Sequence, residues 1–316
     1  MIKDMKFDSS KQFQPNEKPL QEILSFYSLT LLKFETANSG IENTTLITEC
    51  SEGKYVLRIY RKSKKSDDHI LEEISYMNFL YSNGFRVPKI IKSSSGSELI
   101  KYKSQDAEWQ IILMEYIEGH HAKVYSPTLI QNLSRTQARI HMLGSEYTNC
   151  FQGAVLLTLK ERHFAKKIQT NNLNFAAFLN RVQDFEARLD DKLPFGLCHL
   201  DYDKHNILVN DSDEITGIID FDDLALAPYV LDLGYSAWDA FYFGGVVELN
   251  QYLEKYQEVR PLSELELSSL KPILLFRHYV VCTLFALDGK DSNYHIERYV
   301  VGERRLQGWS APLKPA

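Results

Sequence analysis

The chain reads as an α+β protein of two lobes: a β-rich first part with one helix, then a mostly helical part that carries a β-hairpin. Three observations predict this. Strand-like segments separated by short turns dominate before residue 115. Segments with apolar residues three and four apart dominate after residue 120. The 316 residues are also enough for two lobes with their own cores.

In chain order, residues 1–19 read as a loose arm or part of a first helix, and Leu20, Ile23, Leu24 and Tyr27 have helical spacing. Leu29–Phe34, Thr44–Glu49 and Tyr55–Tyr60 read as strands. The loop ANSGIEN, 37–43, lies between the first two. Ser66 to Ser82 reads as a helix, capped by Ser66, with Asp67 and Asp68 in the first turn. Trp109–Met114 is a strongly apolar strand. Ser126-Pro127 starts a helix that carries Leu133, Ile140 and Leu143 on one side. Phe175–Leu189 is an amphipathic helix. The stretch DLGYSAWDAFYF is helical again, and Leu262–Leu287 is an apolar helical region broken before Pro272.

The run His199–Asp223, HLDYDKHNILVNDSDEITGIIDFDD, carries the chemistry. His199, Asp201 and Asn206 form H-x-D-x-x-x-x-N. Ile207–Val209 and Ile215–Ile219 read as strands joined by the turn residues Asn210-Asp211-Ser212-Asp213. The returning strand brings Asp220 beside Asn206. Phosphoryl transfer needs one carboxylate at the attacking hydroxyl, and an amide oxygen and a further carboxylate on magnesium. The rival reading is a polar hairpin with solvated acidic ends.

Composition is that of an ordinary globular protein, with 44% hydrophobic and 25% charged residues. No apolar run approaches a membrane span, and the polar start reads as no signal peptide. Cys50, Cys150, Cys198 and Cys282 lack metal-ligand spacing and read as reduced cytosolic thiols. The expected location is cytoplasmic. A net charge of −6 argues against nucleic acid as a partner.

These segments resemble the aminoglycoside phosphotransferase/choline kinase-type family, small-molecule relatives of protein kinases. HLDYDKHNIL is similar to its catalytic loop and IIDFDD to its metal-binding motif. The resemblance implies a bilobal protein-kinase-like fold, with lobes at 1–114 and 120–316 and a hinge at 115–119. It implies ATP and Mg²⁺ as cofactors. Asp201 is then the catalytic residue, and Asn206 and Asp220 are the metal ligands. Gly40 and Asn43 resemble the family's nucleotide loop, while 37–43 taken alone reads better as a plain hairpin turn. Tyr55-Val56-Leu57-Arg58 stands where the family has V-A-I-K, so Val56 would cover adenine and Arg58 would reach the phosphates. Arginine replaces the usual lysine there. An exposed strand charge is the rival reading of Arg58. Glu73 is assigned as the ion-pair partner of Arg58, with Glu72 the competitor. Met114 would line the adenine pocket or serve as a core residue, and main-chain groups of Glu115 and Ile117 would read adenine. His199 is expected to brace its loop by hydrogen bonds. His205 is read as an exposed bystander, His141 as a packed structural histidine, and Asp232 as securing the catalytic loop.

The segment after Asp220 is short and lacks A-P-E, so a small hydroxyl compound fits better than a peptide. Asp223, Trp238, Asp239 and Tyr242 offer aromatic faces and carboxylates that suit a cationic aminoglycoside or amino alcohol. The same aromatic residues also suit a packed helix. A protein Ser/Thr kinase and a non-catalytic nucleotide-binding module remain as alternatives. Oligomeric state is not legible.

Overall fold

Leu20, Ile23 and Leu24 lie three and four apart, and all three are fully buried on one face of helix α1, Glu17–Ser25. This is a computed structural model. It describes residues 13–37, 43–60, 65–104, 107–147, 185, 192–287 and 292–311, with the backbone alone at 283–287 and 292–298. The expected arm up to residue 12, Gly40, Cys150 and the expected helix Phe175–Leu189 (Phe185 excepted) lie outside the described residues. The chain divides into two units. Among the described residues, the first runs to Gly119 and includes Thr216–Ile219, and the second takes the remainder from His120.

The first unit is built on antiparallel strands β1 (Leu31–Thr36), β2 (Thr44–Cys50), β3 (Gly53–Ile59), β4 (Ile90–Ile91), β5 (Ile100–Lys103) and β6 (Glu108–Glu115). Their order is β1-β2-β3-β6-β4, with β5 also pairing β6. Leu46, Leu57, Ile111 and Leu113 from three of these strands are fully buried with the α1 residues in one core. Such burial stabilises by roughly 1.5–3 kcal/mol per large aliphatic side chain. Helix α2, Asp67–Ser82, starts where Ser66 accepts the His69 N–H at 3.2 Å, as the sequence predicts.

In the second unit, β7 (His120–His121) pairs β9 (Ile207–Val209), and β8 (Phe195–Cys198) pairs β11 (Ala225–Pro228). The turn after β9 is closed by the Asn210 N–H on the Glu214 carbonyl at 3.0 Å; of the next strand, β10 (Ile215–Ile218), only Ile215 belongs to this unit and the rest to the first. Strand β11 was not anticipated from sequence. Helix α3, Pro127–Gly144, has the expected Ser126 cap and Pro127 in its first turn. Helices α4 (Tyr229–Phe243), α5 (Val246–Gln257), α6 (Glu264–Leu287) and α7 (Ser292–Gly308) complete the unit.

Helix α6 corrects one expectation, because it runs through Pro272 unbroken. Pro272 is on the exposed side, so the carbonyl that loses its N–H partner can turn to water, while Ile273 and Leu274 beside it are fully buried. Ile273 fixes the approach of α6 to α4: a Cβ on Gly234 would lie 2.4 Å from the Ile273 side chain. No helix among the described residues is long and apolar enough to cross a membrane.

Candidate active site

The segment after β8 turns at Leu200, whose φ of +60° is rare for a branched, non-glycine residue. The Leu200 side chain is fully buried and its N–H donates to Asp232 Oδ1 at 2.6 Å. Asp232, on the first turn of α4, also accepts from Gln137 Nε2 at 3.1 Å and from His141 Nε2 at 2.9 Å. With His141 Nε2 donating, its Nδ1 accepts from the Tyr256 hydroxyl at 2.6 Å. Burial keeps the His141 pKa low, so the imidazole stays neutral. Burial also opposes charge on Asp232, but donors from His141 and Gln137 outweigh it and hold this carboxyl below the usual range. Asp232 therefore secures the start of the loop, and His141 is a packed structural residue.

The loop then closes on itself. Asn206 Nδ2 donates to the Asp201 carbonyl at 2.9 Å and to Asp201 Oδ2 at 2.7 Å. That places the carboxylate and the amide side by side, and leaves the Asn206 oxygen as its ligand atom. His205 is exposed, as expected, but it is paired: Asp203 Oδ1 accepts its backbone N–H at 2.7 Å and lies 3.3 Å from its Nδ1. His199 is buried, and its ring is tilted on Phe221 with centroids 4.7 Å apart.

Asp220 follows β10 in the left-handed region, φ 65° and ψ 68°, and leads into a 3-10 turn at Phe221–Asp223. A non-glycine residue held there costs about 1 kcal/mol or more, a kind of strain that clusters at functional sites. Asp220 is half-buried and Asp223 exposed. Asn206 and Asp220 carry hard oxygen donors of the kind that suits a cation such as Mg²⁺.

Charge is concentrated here. Burial, then Asp203 and Asp223, push the Asp201 carboxyl well above its ordinary range, opposed by Arg277. The Asp201 side chain still opens to solvent, at 39% exposure. Burial and Asp203 push Asp239 up to about 7. Its Oδ2 accepts from the Tyr125 hydroxyl. Burial opposes charge on Asp203, but His205 outweighs it and lowers that carboxyl. A bound cation would relieve this crowding.

The expected aromatic surface needs correction. Trp238 and Tyr242 are only 2% and 8% exposed and stack on each other at 5.0 Å. Trp238 Nε1 donates to His278 Nδ1 at 3.2 Å. Both pack inside the unit because α4 is buried on every side, not on one stripe. The exposed ring beside the loop, Phe243, already carries Lys204 Nζ at 4.2 Å from its centroid. Asp223 and Asp239 remain as carboxylates of this region.

In the first unit, Arg58 on β3 and Glu73 on α2 come together. Arg58 is 6% exposed, so it is not an exposed strand charge, and its Nη1 lies 3.7 Å from Glu73 Oε1. The fully buried Glu73 is also 3.0 Å from the Tyr60 hydroxyl and 3.0 Å from Lys65 Nζ. Val56 and Met114 face each other across β3 and β6, with Val56 half-buried and Met114 buried. The Glu115 N–H is committed to the Lys89 carbonyl at 2.9 Å, so only the Glu115 carbonyl suits an adenine contact. Asn43 is buried and Ile117 half-buried.

Sequence reasoning missed Lys65, Tyr125, Asp203 and Arg277. Arg277 had a signal, since it is a lone arginine within the apolar run PILLFRHYVV. Lys65 was hidden in the basic run RKSKK.

Residues 33–267 match the family described as "Phosphotransferase enzyme family". A homoserine kinase of Methylobacterium radiotolerans is 25% identical over 269 residues, 82% of this chain and 81% of that protein. Among solved structures, a microcompartment-associated aminopropanol kinase superposes with TM-score 0.76 at 19% identity, over 93% of this chain and 99% of that one. Amicoumacin kinase hAmiN, in complex with AMP-PNP, Ca²⁺ and Ami, gives TM-score 0.73 at 17% identity, over 95% and 96%.

Proposed function

Because this chain belongs to the phosphotransferase enzyme family, we propose that it moves the γ-phosphoryl group of ATP to a hydroxyl of a small molecule that also carries an amine. The family is one of small-molecule kinases with an alcohol group as acceptor. Homoserine and aminopropanol, named in the relatives above, both combine a hydroxyl with an amine.

The observation that carries the reading is the pairing of Asp201 with Asn206 on one loop, at 2.7 Å. The Asp201 carboxylate faces the acceptor hydroxyl and orients it in line with the γ-phosphorus. The new acceptor O–P bond forms as the bridging O–P bond to ADP breaks. The hydroxyl proton passes to Asp201, and ADP leaves. The oxygens of Asn206 and Asp220 would hold Mg²⁺, which neutralises phosphate charge when bound. In the first unit Arg58, oriented by Glu73, reaches the phosphates. Val56 and Met114 cover adenine, which the Glu115 carbonyl and the backbone of Ile117 read, with Asn43 in the nucleotide loop.

ADP release from Mg-ATP tests this against separate pools of amino alcohols, hydroxy amino acids, aminoglycosides and sugars, with Asp201→Ala alongside. Stimulation by an amine-bearing pool, lost in the variant, is the expected result. Stimulation by none, with phosphate appearing on protein substrates, would move the acceptor to a protein.

A further inference from the structure

We propose that Arg277 selects the acceptor by binding a carboxylate on the same small molecule whose hydroxyl is phosphorylated, which makes the acceptor a hydroxy amino acid; this rests on the phosphotransferase reading above. Arg277 lies on α6, and its side chain is 14% exposed. The guanidinium stacks over Tyr235 at 4.5 Å and sits 5.8 Å from the Trp238 ring centroid. Stacking fixes the plane of the group without using its N–H donors. The buried Nε has no hydrogen-bond partner among the described residues. Leaving that donor dry is costly, and a ligand oxygen beside it would satisfy it.

One edge of the guanidinium points to the proposed reaction centre. Nη2 lies 3.8 Å from Asp201 Oδ1, an ion-pair distance too long for a hydrogen bond. An arginine serving only to neutralise Asp201 would close that gap. Here the fork stands back from Asp201 beside solvent-open space. A planar fork takes a carboxylate through two parallel N–H···O bonds. Its surroundings choose the rest of the ligand. Arg277 lies 3.8 Å from Asp201, and its charge also reaches the carboxyls of Asp203 and Asp239, so acidic groups outnumber it in this region. That field favours a positive group. A molecule with a carboxylate, an ammonium and a hydroxyl satisfies all three features. Trp238 and Tyr242 are packed away, so these two rings do not form a cage for a bare amine.

Paired acceptors that differ only by the carboxylate test the proposal: L-homoserine against 3-amino-1-propanol, and L-threonine against 1-amino-2-propanol. The wild-type chain is expected to favour the carboxylated member of a pair by about 100-fold in kcat/KM. Arg277→Met keeps the stem packed on Tyr235. It should erase the preference by raising KM for the carboxylated acceptor far more than for the amino alcohol. Arg277→Lys keeps the charge without the fork and should lose part of the preference; it carries the test if Arg277→Met does not fold. A fall in kcat on both members of a pair, together with ATP hydrolysis, would place the guanidinium on the transferring phosphoryl group and overturn the proposal. Turnover of amino alcohols alone would overturn it and leave the phosphotransferase reading standing. Turnover of no hydroxyl compound at all would overturn both.

Discussion

Asp232 and Asp239 lie two turns apart on the same helix, both nearly sealed from solvent, yet their carboxyls behave oppositely. Asp232 collects three donors, from Leu200, Gln137 and His141, and is held ionised. Asp239 has the Tyr125 hydroxyl and the repulsion of Asp203, and is pushed up to about 7. Burial penalises charge at both sites, so the number of donors decides the outcome. A saturated carboxylate holds the backbone together. An unsaturated one is poised for a ligand, and Asp201 belongs with Asp239 on that side of the comparison.

The largest expected effect is on Asp201. Asp201→Ala should lower kcat by about a thousandfold with little change in Tm, because the residue serves the reaction and not the core. Kinetics and a thermal melt on the same preparation check this. Equal losses of activity and stability would move Asp201 to the structural side.

Asp232→Asn should do the reverse in kind. It leaves a buried histidine and the Leu200 N–H poorly matched, at a cost of about 3 kcal/mol, or about 8 °C in Tm. Activity should fall with it, because the loop loses its anchor. Denaturant unfolding measures the effect directly.

Asp239→Asn is predicted to stabilise the ligand-free protein by about 1 kcal/mol near pH 8, since a neutral amide still accepts from Tyr125 without the charge penalty. The sign follows from the raised pKa. The folded state holds its proton more tightly than the unfolded chain. That advantage is complete below the ordinary carboxylate pKa and fades as pH rises through about 7.

The smallest effect is the matching pH dependence of the wild type. Tm of the metal-free protein should drop by about 3 °C between about pH 6 and pH 8, and Asp239→Asn should flatten this. An unchanged slope in the variant would assign the titration elsewhere.

These residues were unequally legible in the sequence. Asp201 and Asn206 lie on one short loop, so their spacing alone predicts that they meet, and they do. Helix caps at Ser66 and Ser126 are equally local, and both appear. Arg277 meets Asp201 across 76 positions of chain, so no local spacing could announce it. Lys65 lies just before α2 and only eight positions from Glu73, so that pair is local, yet no motif in a basic run marks which lysine makes it. Trp238 and Tyr242 misled for a different reason. An aromatic helix next to a catalytic motif fits either a binding wall or a core, and α4 is buried on every side. Pro272 shows the same limit, since a breaker at an exposed position yields to buried neighbours that hold the helix.

The central claim is that the phosphoryl group ends on the hydroxyl of a small molecule under the direction of Asp201. Phosphorus-31 NMR of a reaction holding Mg-ATP, the full chain and a stimulating acceptor tests it most directly. A phosphomonoester resonance coupled to the carbinol protons of the acceptor, absent with Asp201→Ala, is the predicted result. Inorganic phosphate with no ester would contradict the account.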